Sequence, residues 1–238
     1  FGIEEAGLTL DAILAALEHA VTSGVKISNH SYGGTYFSGV EYEMIGYALA
    51  HDHLVVAAAG NSAENNDVVP SYPASYNLDN IISVAATDHD GLPAWFSNYG
   101  AQSVDIAAPG VDILSTYMYD TLDGYEKLSG TSMASPHVAG VAGLLKSIAP
   151  WATYAMLRDA LLLGSRPDPV LKDIVSSSGH LDAAAALERI KAFWLKLDAM
   201  KGNIAAGATL PVGVTINAGG QLPAGTYIAH IVVRGGAN

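Results

Sequence analysis

The sequence predicts an α/β fold built on a mainly parallel sheet, and three observations carry that expectation. Apolar segments of strand length, such as residues 53–59 and 80–86, alternate with longer segments whose apolar residues recur every three or four positions. The segment 53–59 is apolar almost throughout rather than alternating, as expected of a strand in a sheet covered on both faces. After residue 192 the pattern changes to short strand-like stretches between glycine-rich turns, which marks a second unit. The expected division is therefore an incomplete α/β domain over 1–192 and a partial β module over 193–238.

Residues 9–22 read as an amphipathic helix. Leu10, Ile13, Leu14, Leu17, Ala20 and Val21 form its apolar face, Thr9 is placed to cap it, and Ser23-Gly24 ends it. Residues 25–31 then form a strand leading into Tyr32-Gly33-Gly34. A helix over 39–51 and a strand over 53–59 follow, completing a strand–helix–strand crossover unit. Residues 80–86 and 104–107 are further strands, the latter closed by Pro109-Gly110. Residues 113–117 and 125–128 are spaced to pair as a hairpin. A long helix follows Gly130, with Val138, Val141, Ala142 and Leu145 at helical spacing and Pro136 expected in its first turn. Ala139, Gly140 and Gly143 leave room for another element to approach it. Helices over 151–163 and 181–192 complete the domain, and 193–197, 208–217 and 225–233 read as strands of the second unit.

Composition narrows the function. Half of the 238 residues are hydrophobic and mean hydropathy is +0.26, enough for a sizeable core. Only 14% are charged, yet the net charge is −12 and the pI about 4.8. That balance disfavours nucleic acid, whose affinity rests on Lys and Arg contacts to phosphate. There is no cysteine, so disulfides, thiolate metal sites and a cysteine nucleophile are excluded. No apolar run has the length of a membrane-spanning helix, and no signal peptide is visible. The chain begins at Phe1, which reads as a processed product or a fragment.

Ser132 stands at the start of the long helix. A backbone N–H there can stabilise negative charge growing on a carbonyl oxygen, and the hydroxyl can attack that carbonyl once a base takes its proton. Thr131 or Ser132 could instead be a simple helix cap. The whole stretch Ser129-Gly130-Thr131-Ser132-Met133-Ala134-Ser135-Pro136-His137-Val138-Ala139-Gly140 decides between them, because it resembles the nucleophile motif of the subtilisin-like serine proteases. The resemblance implies a subtilisin-like three-layer fold and a serine endopeptidase acting through an acyl-enzyme on Ser132. His137 falls on the family's structural histidine and not on its base.

Further stretches match the same family. Gly60-Asn61, after an apolar strand, resembles the segment carrying the oxyanion-hole asparagine; alone, the pair would read as a turn. Ser31-Tyr32-Gly33-Gly34 resembles the substrate-binding strand, whose edge pairs with an extended peptide. Ala58, Ala59 and Gly60 resemble the opposite wall of the specificity pocket, with small side chains that leave room for a large apolar group. Tyr72-Pro73 matches a cis-proline turn of the family, so a cis bond is expected there. Residues 96–100 and 104–110 match architectural stretches, with Asp105 at a strand end and not catalytic. Residues 193–238 resemble the first part of the immunoglobulin-like modules that often follow secreted bacterial proteases. The resemblance further implies extended polypeptides as partners and an extracellular location. No cofactor is required for the chemistry; structural calcium is known in the family, but six oxygen ligands cannot be assembled here and no metal residue is assigned. His51-Asp52-His53 and Asp88-His89-Asp90 read as a solvated junction and a turn.

The resemblance is incomplete. The family orders its triad Asp, His, Ser, with the aspartate in an Asp-Thr/Ser-Gly turn and the base in His-Gly-Thr-His. None of the eight histidines stands in that motif, and neither motif occurs in the chain. Both are expected upstream of Phe1. The chain by itself is expected to be inert and to expose a sheet edge. A peptide-binding pseudoprotease and a purely structural fragment are the other classes the residues allow. An α/β-hydrolase is disfavoured, since Ser132 lacks a Gly-x-Ser-x-Gly elbow.

Overall fold

The structure, a computed structural model, describes residues 9–117, 124–191, 195–197 and 214–216. Helix α1 (Leu10–Thr22) starts at Thr9, whose hydroxyl accepts from the Ala12 N–H, and stops at Ser23 before Gly24 turns the chain. Strand β1 (Ile27–His30) leads through the Tyr32–Gly34 stretch to α2 (Gly39–Ala50), capped by the Ser38 hydroxyl. Strands β2 (Leu54–Ala58) and β3 (Ile81–Thr87) are buried throughout, as uninterrupted apolar runs require. Strand β4 spans Ile106–Pro109, two residues later than the sequence pattern places it, and Asp105 therefore precedes the strand. A hairpin of β5 (Ile113–Thr116) and β6 (Tyr125–Leu128) precedes α3 (Thr131–Ile148). Helix α4 (Tyr154–Leu163) begins at its Thr153 cap. The short strands β7 (Arg166–Pro167) and β8 (Gly179–His180) follow, and α5 (Ala183–Lys191) closes the domain.

Six of these strands form one sheet in the order β1-β2-β3-β4-β8-β7, parallel except for β7. Alternation along the strands divides the core. Val55, Ala57 and Ile81 face Leu17 and Val21 of α1 and Ile45 and Ala48 of α2. Leu54, Val56, Ile82, Val84 and Ile106 face Val138, Ala142 and Leu145 of α3 and Leu157 and Leu161 of α4. This is the three-layer arrangement expected from the sequence.

Two features of α3 differ from the sequence reading. Pro136 lies inside the helix and not in its first turn. The helix is buried on one face only: Pro136, His137, Gly140, Gly143, Leu144 and Ile148 are exposed in one stripe, with Leu144 62% and Ile148 53% exposed. A methyl group added at Gly140 or Gly143 would meet nothing within 4 Å, so no described element uses the room these glycines leave. Strand β1 is the outermost strand of the same sheet. Among the described residues no strand pairs with the outer edge of β1 and no element covers the apolar flank of α3.

In the second unit, β9 (Leu195–Leu197) and β10 (Val214–Ile216) pair antiparallel. The remainder of the immunoglobulin-like module expected over 193–238 lies outside the described residues.

Candidate active site

Ser132 is the second residue of α3. Its backbone N–H belongs to the first turn, where no helical carbonyl is available, and it makes no hydrogen bond within the described residues. Gly130, extended at φ 162°, starts the helix without a side-chain cap, so neither hydroxyl is a helix cap. The Thr131 hydroxyl instead points across to β2. The Thr131 N–H and Oγ1–H both donate to Asn61 Oδ1, at 2.8 and 2.9 Å, and Thr131 Oγ1 accepts from the Gly60 N–H at 3.1 Å. With its oxygen held twice, the Asn61 amide has one orientation that satisfies the contacts, and its N–H₂ is left to donate elsewhere.

Pro136 explains the next contact. A residue four positions after Ser132 would ordinarily donate its N–H to the Ser132 carbonyl, and proline has none. The Ser31 hydroxyl takes that place, donating to the Ser132 carbonyl at 2.8 Å. Ser31 Oγ in turn accepts from Asn29 Nδ2 at 2.9 Å, and Asn29 Oδ1 accepts from Ser135 Oγ at 2.6 Å. A closed set of side-chain bonds therefore clips the first turn of α3 to the end of β1. Ser132 Oγ donates to the Ser31 carbonyl at 3.3 Å, and no described imidazole hydrogen-bonds to it. His137 is exposed and its Nδ1 lies 2.9 Å from the Met133 carbonyl, away from the nucleophile.

Ser132, Thr131 and Asn61 line one cavity of about 200 Å³ with Tyr32, Gly33, Ala58 and Gly60. Ala59 does not line it. Alternation along the strand turns Ala59 to the other face, where it packs with Val104 and Leu171. Nor does Ser31 line the cavity, since its hydroxyl faces the Ser132 carbonyl. The walls are more polar than small alanines suggest, because Glu64, Ser71 and Asn98 also line them. Gly60 has φ +116°, and a Cβ there would lie 2.5 Å from Asn98 Nδ2, so both conformation and space require glycine. Gly34 and Tyr72 exchange backbone bonds at 2.9 and 2.7 Å, joining the Gly33–Gly34 wall to the Tyr72-Pro73 turn, whose bond is cis.

Beneath this wall Tyr32 OH lies 2.7 Å from His30 Nδ1 and 3.1 Å from Glu41 Oε1. Burial, with Glu41 nearby, pushes the Tyr32 phenol above its ordinary value. Burial, with His53 second, holds the His30 imidazole down to about 4. Asp105 is raised by burial, and the Arg158 guanidinium at 2.9 Å opposes the rise. Asp105 Oδ2 also accepts from the Ser83 N–H at 2.9 Å, so the carboxylate links β3 to Arg158 of α4.

Among the described residues no three His, Cys, Asp or Glu side chains gather as a metal site. The two tempting clusters come apart. His51 Nδ1 faces the Tyr47 carbonyl, Asp52 Oδ1 accepts from the Tyr154 N–H, and His53 Nδ1 faces the Val25 carbonyl. Asp88 Oδ1 accepts from the amides of Asp90 and Leu92 in its own turn.

The sequence reading passed over Thr131 as a locking group and Asn29 as part of the clip. One signal was present for the clip: Pro136, four residues after Ser132, marks a carbonyl that needs another donor.

Comparison with known proteins accords with this geometry. Residues 3–178 match the model of the Subtilase family. The chain is 45% identical over 139 residues to thermitase of Thermoactinomyces vulgaris, covering 58% of this chain and 47% of that protein. It is 40% identical over 154 residues to subtilisin DY of Bacillus licheniformis, covering 64% and 54%. The chain thus spans about half the length of the curated relatives it matches. Among solved structures, the prenylagaramide maturation protease PagA superposes with a TM-score of 0.67 at 31% identity, over 80% of this chain and 70% of that one. A protease from Pseudoalteromonas arctica gives 0.70 at 30% identity, over 79% and 61%. On the match over residues 3–178, the chain belongs to the subtilase family.

Proposed function

We propose that this chain supplies the nucleophile and oxyanion half of a subtilisin-type serine endopeptidase that cleaves extended polypeptides. One observation carries the reading. Ser132, whose N–H has no partner among the described residues, and Asn61, whose amide oxygen is held by Thr131, line one cavity. In the reaction Ser132 Oγ bonds to the scissile carbonyl carbon, and the two N–H donors stabilise the oxyanion. The carbon–nitrogen bond then breaks, the amine leaves with the proton taken from Ser132, and water hydrolyses the ester. Tyr32 and Gly33 form the peptide-binding side of the cleft, with Ala58 and Gly60 opposite, while Ser31 holds the turn that carries Ser132.

The proton acceptor comes from outside these 238 residues. Neither the Asp-Thr/Ser-Gly nor the His-Gly-Thr-His motif stands in the chain. The outer edge of β1 and the exposed flank of α3 give a segment carrying them a strand to pair with and an apolar face to cover. Without it the chain is inert. The working protease is extracellular, with the peptidase part over 1–192 and a β module over 193–238; no helix among the described residues is long and apolar enough to cross a membrane.

A fluorophosphonate probe and a chromogenic peptide test this on the chain and on a longer polypeptide that includes the preceding segment. Labelling of Ser132 and turnover only in the longer polypeptide are the expected results. A second reading, a peptide-binding module without turnover, draws on the resting bond from Ser132 Oγ to the Ser31 carbonyl. Peptide binding without labelling in either polypeptide would establish it in place of the first.

A further inference from the structure

A line of polar groups, with His53, His30 and Glu41 buried and Ser28 and Tyr32 half-buried, runs beneath the cleft wall and takes no part in the chemistry above. It starts at the Val25 carbonyl, 2.8 Å from His53 Nδ1. His53 Nε2 is 2.8 Å from Ser28 Oγ, which is 2.8 Å from His30 Nε2. His30 Nδ1 is 2.7 Å from Tyr32 OH, and Tyr32 OH is 3.1 Å from Glu41 Oε1. Glu41 Oε2 accepts from Tyr76 OH at 2.8 Å and closes the line.

Counting hydrogens exposes a shortage. Five contacts join Val25 to Glu41, and each needs one proton. The links are His53, Ser28, His30 and Tyr32, and each neutral link brings one. Both ends, a carbonyl and an ionised carboxylate, are pure acceptors. Four protons cannot fill five contacts in any combination of tautomers. A second observation agrees. Glu41 is only 6% exposed, and none of the ion pairs among the described residues includes it. A buried carboxylate with no cation is costly.

We propose that the line from His53 to Glu41 is a proton site holding a fifth proton, and that this proton lets all five contacts from Val25 to Glu41 close at once beneath the Tyr32 wall of the cleft. The proton belongs to the line as a unit. Its uncharged arrangement satisfies every contact: the Glu41 carboxyl donates to Tyr32, Tyr32 to His30, His30 Nε2–H to Ser28, Ser28 to His53, and His53 Nδ1–H to Val25. Burial disfavours the alternative with an imidazolium and a carboxylate, in keeping with the low proton affinity of His30. When the proton leaves, one of the five contacts must open: Tyr32 can then donate to ionised Glu41 and accept from a His30 Nδ1–H, which passes the shortage along the line toward the His53–Val25 end. The other titratable and charged groups around the line are Lys26 beside His53, and Tyr42, Tyr72 and Tyr76 packed by Glu41. None of them adds a hydrogen to any of the five contacts.

The inference is independent of the peptidase reading, and its test uses the 238-residue chain without any activity. Glu41→Gln supplies an amide that donates to Tyr32 with no added proton, so it mimics the filled line. In infrared difference spectra of wild type against Glu41→Gln at pH 7, a protonated carboxyl band from Glu41 is expected. In nitrogen NMR, His53 and His30 are expected as neutral Nδ1–H and Nε2–H tautomers. An imidazolium with an ionised Glu41 would also account for the fifth proton and support the site. An ionised Glu41 with both imidazoles neutral would overturn it.

Folding then takes up one proton that the unfolded chain lacks above the ordinary histidine range. The wild-type folding constant should therefore fall about tenfold per pH unit more steeply than that of Glu41→Gln, until the proton is lost. Equal slopes would overturn the site. Above that pH one contact of the line opens, so amides 25–32 should exchange faster in wild type than in the variant, and equal exchange would refute the link between the proton and the closed line. Should the variant not fold, the wild-type spectra decide alone.

Discussion

Strands β1 and β2 lie side by side and are built on opposite principles. Every residue of β2 from Leu54 to Ala58 is buried, and the strand is bonded on both sides. Strand β1 is Ile-Ser-Asn-His, bonded on one side only, with Asn29 exposed. β2 derives its place from apolar contact on both faces and delivers Asn61 just past its end. β1 derives its place from directed polar bonds: Asn29 and Ser31 to α3, Ser28 to His53, and His30 to Tyr32. The difference teaches that one strand holds the fold while its neighbour ties the fold to the first turn of α3, where Ser132 stands.

The sharpest way to break this contrast is at the core. Ile82→Ala in the fully buried β3 should cost about 2–5 kcal/mol in urea unfolding, whereas Ile27→Ala on half-buried β1 should cost clearly less. Equal losses would mean that β1 also stands on apolar packing. Next comes Asn61→Ala in the assembled peptidase. A drop in kcat of about 10²–10³ is expected, a size taken from subtilisin itself, with KM little changed.

Ser31→Ala should come third. It leaves the Ser132 carbonyl without a donor, at about 1–3 kcal/mol. Adding Pro136→Ala restores a helical N–H to that carbonyl, so the double variant should recover part of the stability; a double-mutant cycle with zero coupling would dismiss the substitution of one donor for the other.

The smallest effect is expected from Asp67. Burial pushes its carboxyl up, and hydrogen bonds from the Ser103 hydroxyl and the Ser103 and Gln102 amides outweigh this, leaving it below the ordinary value. Its contribution is therefore present above the unfolded carboxylate range and lost as pH falls through the folded value, below about 4. Asp67→Asn should flatten acid unfolding there by less than about 1 kcal/mol, the site being exposed.

What was legible in the sequence follows the same divide. Thr9, the run 54–58 and the Gly-Thr-Ser motif are local signals, and α1, β2 and the start of α3 fall where those signals place them. The hairpin over 113–128 was legible from spacing alone. Bonds between residues about a hundred positions apart leave no local trace: Ser31 to Ser132 and Asn29 to Ser135 follow from how β1 and α3 cross, not from either segment. Ala59 was misplaced because a run of three alanines does not reveal which one turns inward. Gly140 and Gly143 suggested a close neighbour, but small residues record permission for contact and not its presence.

The two hydrogen bonds from Thr131 to Asn61 set a narrow limit on what evolution can do at position 61. The side chain there must show an acceptor to the helix and a donor to the cleft, at a fixed reach. Aspartate has no donor when ionised, glutamine is one methylene too long, and serine is too short to span both. Variation at this corner would have to move two positions together, so the loss of either partner frees the side chain at position 61 in a single step.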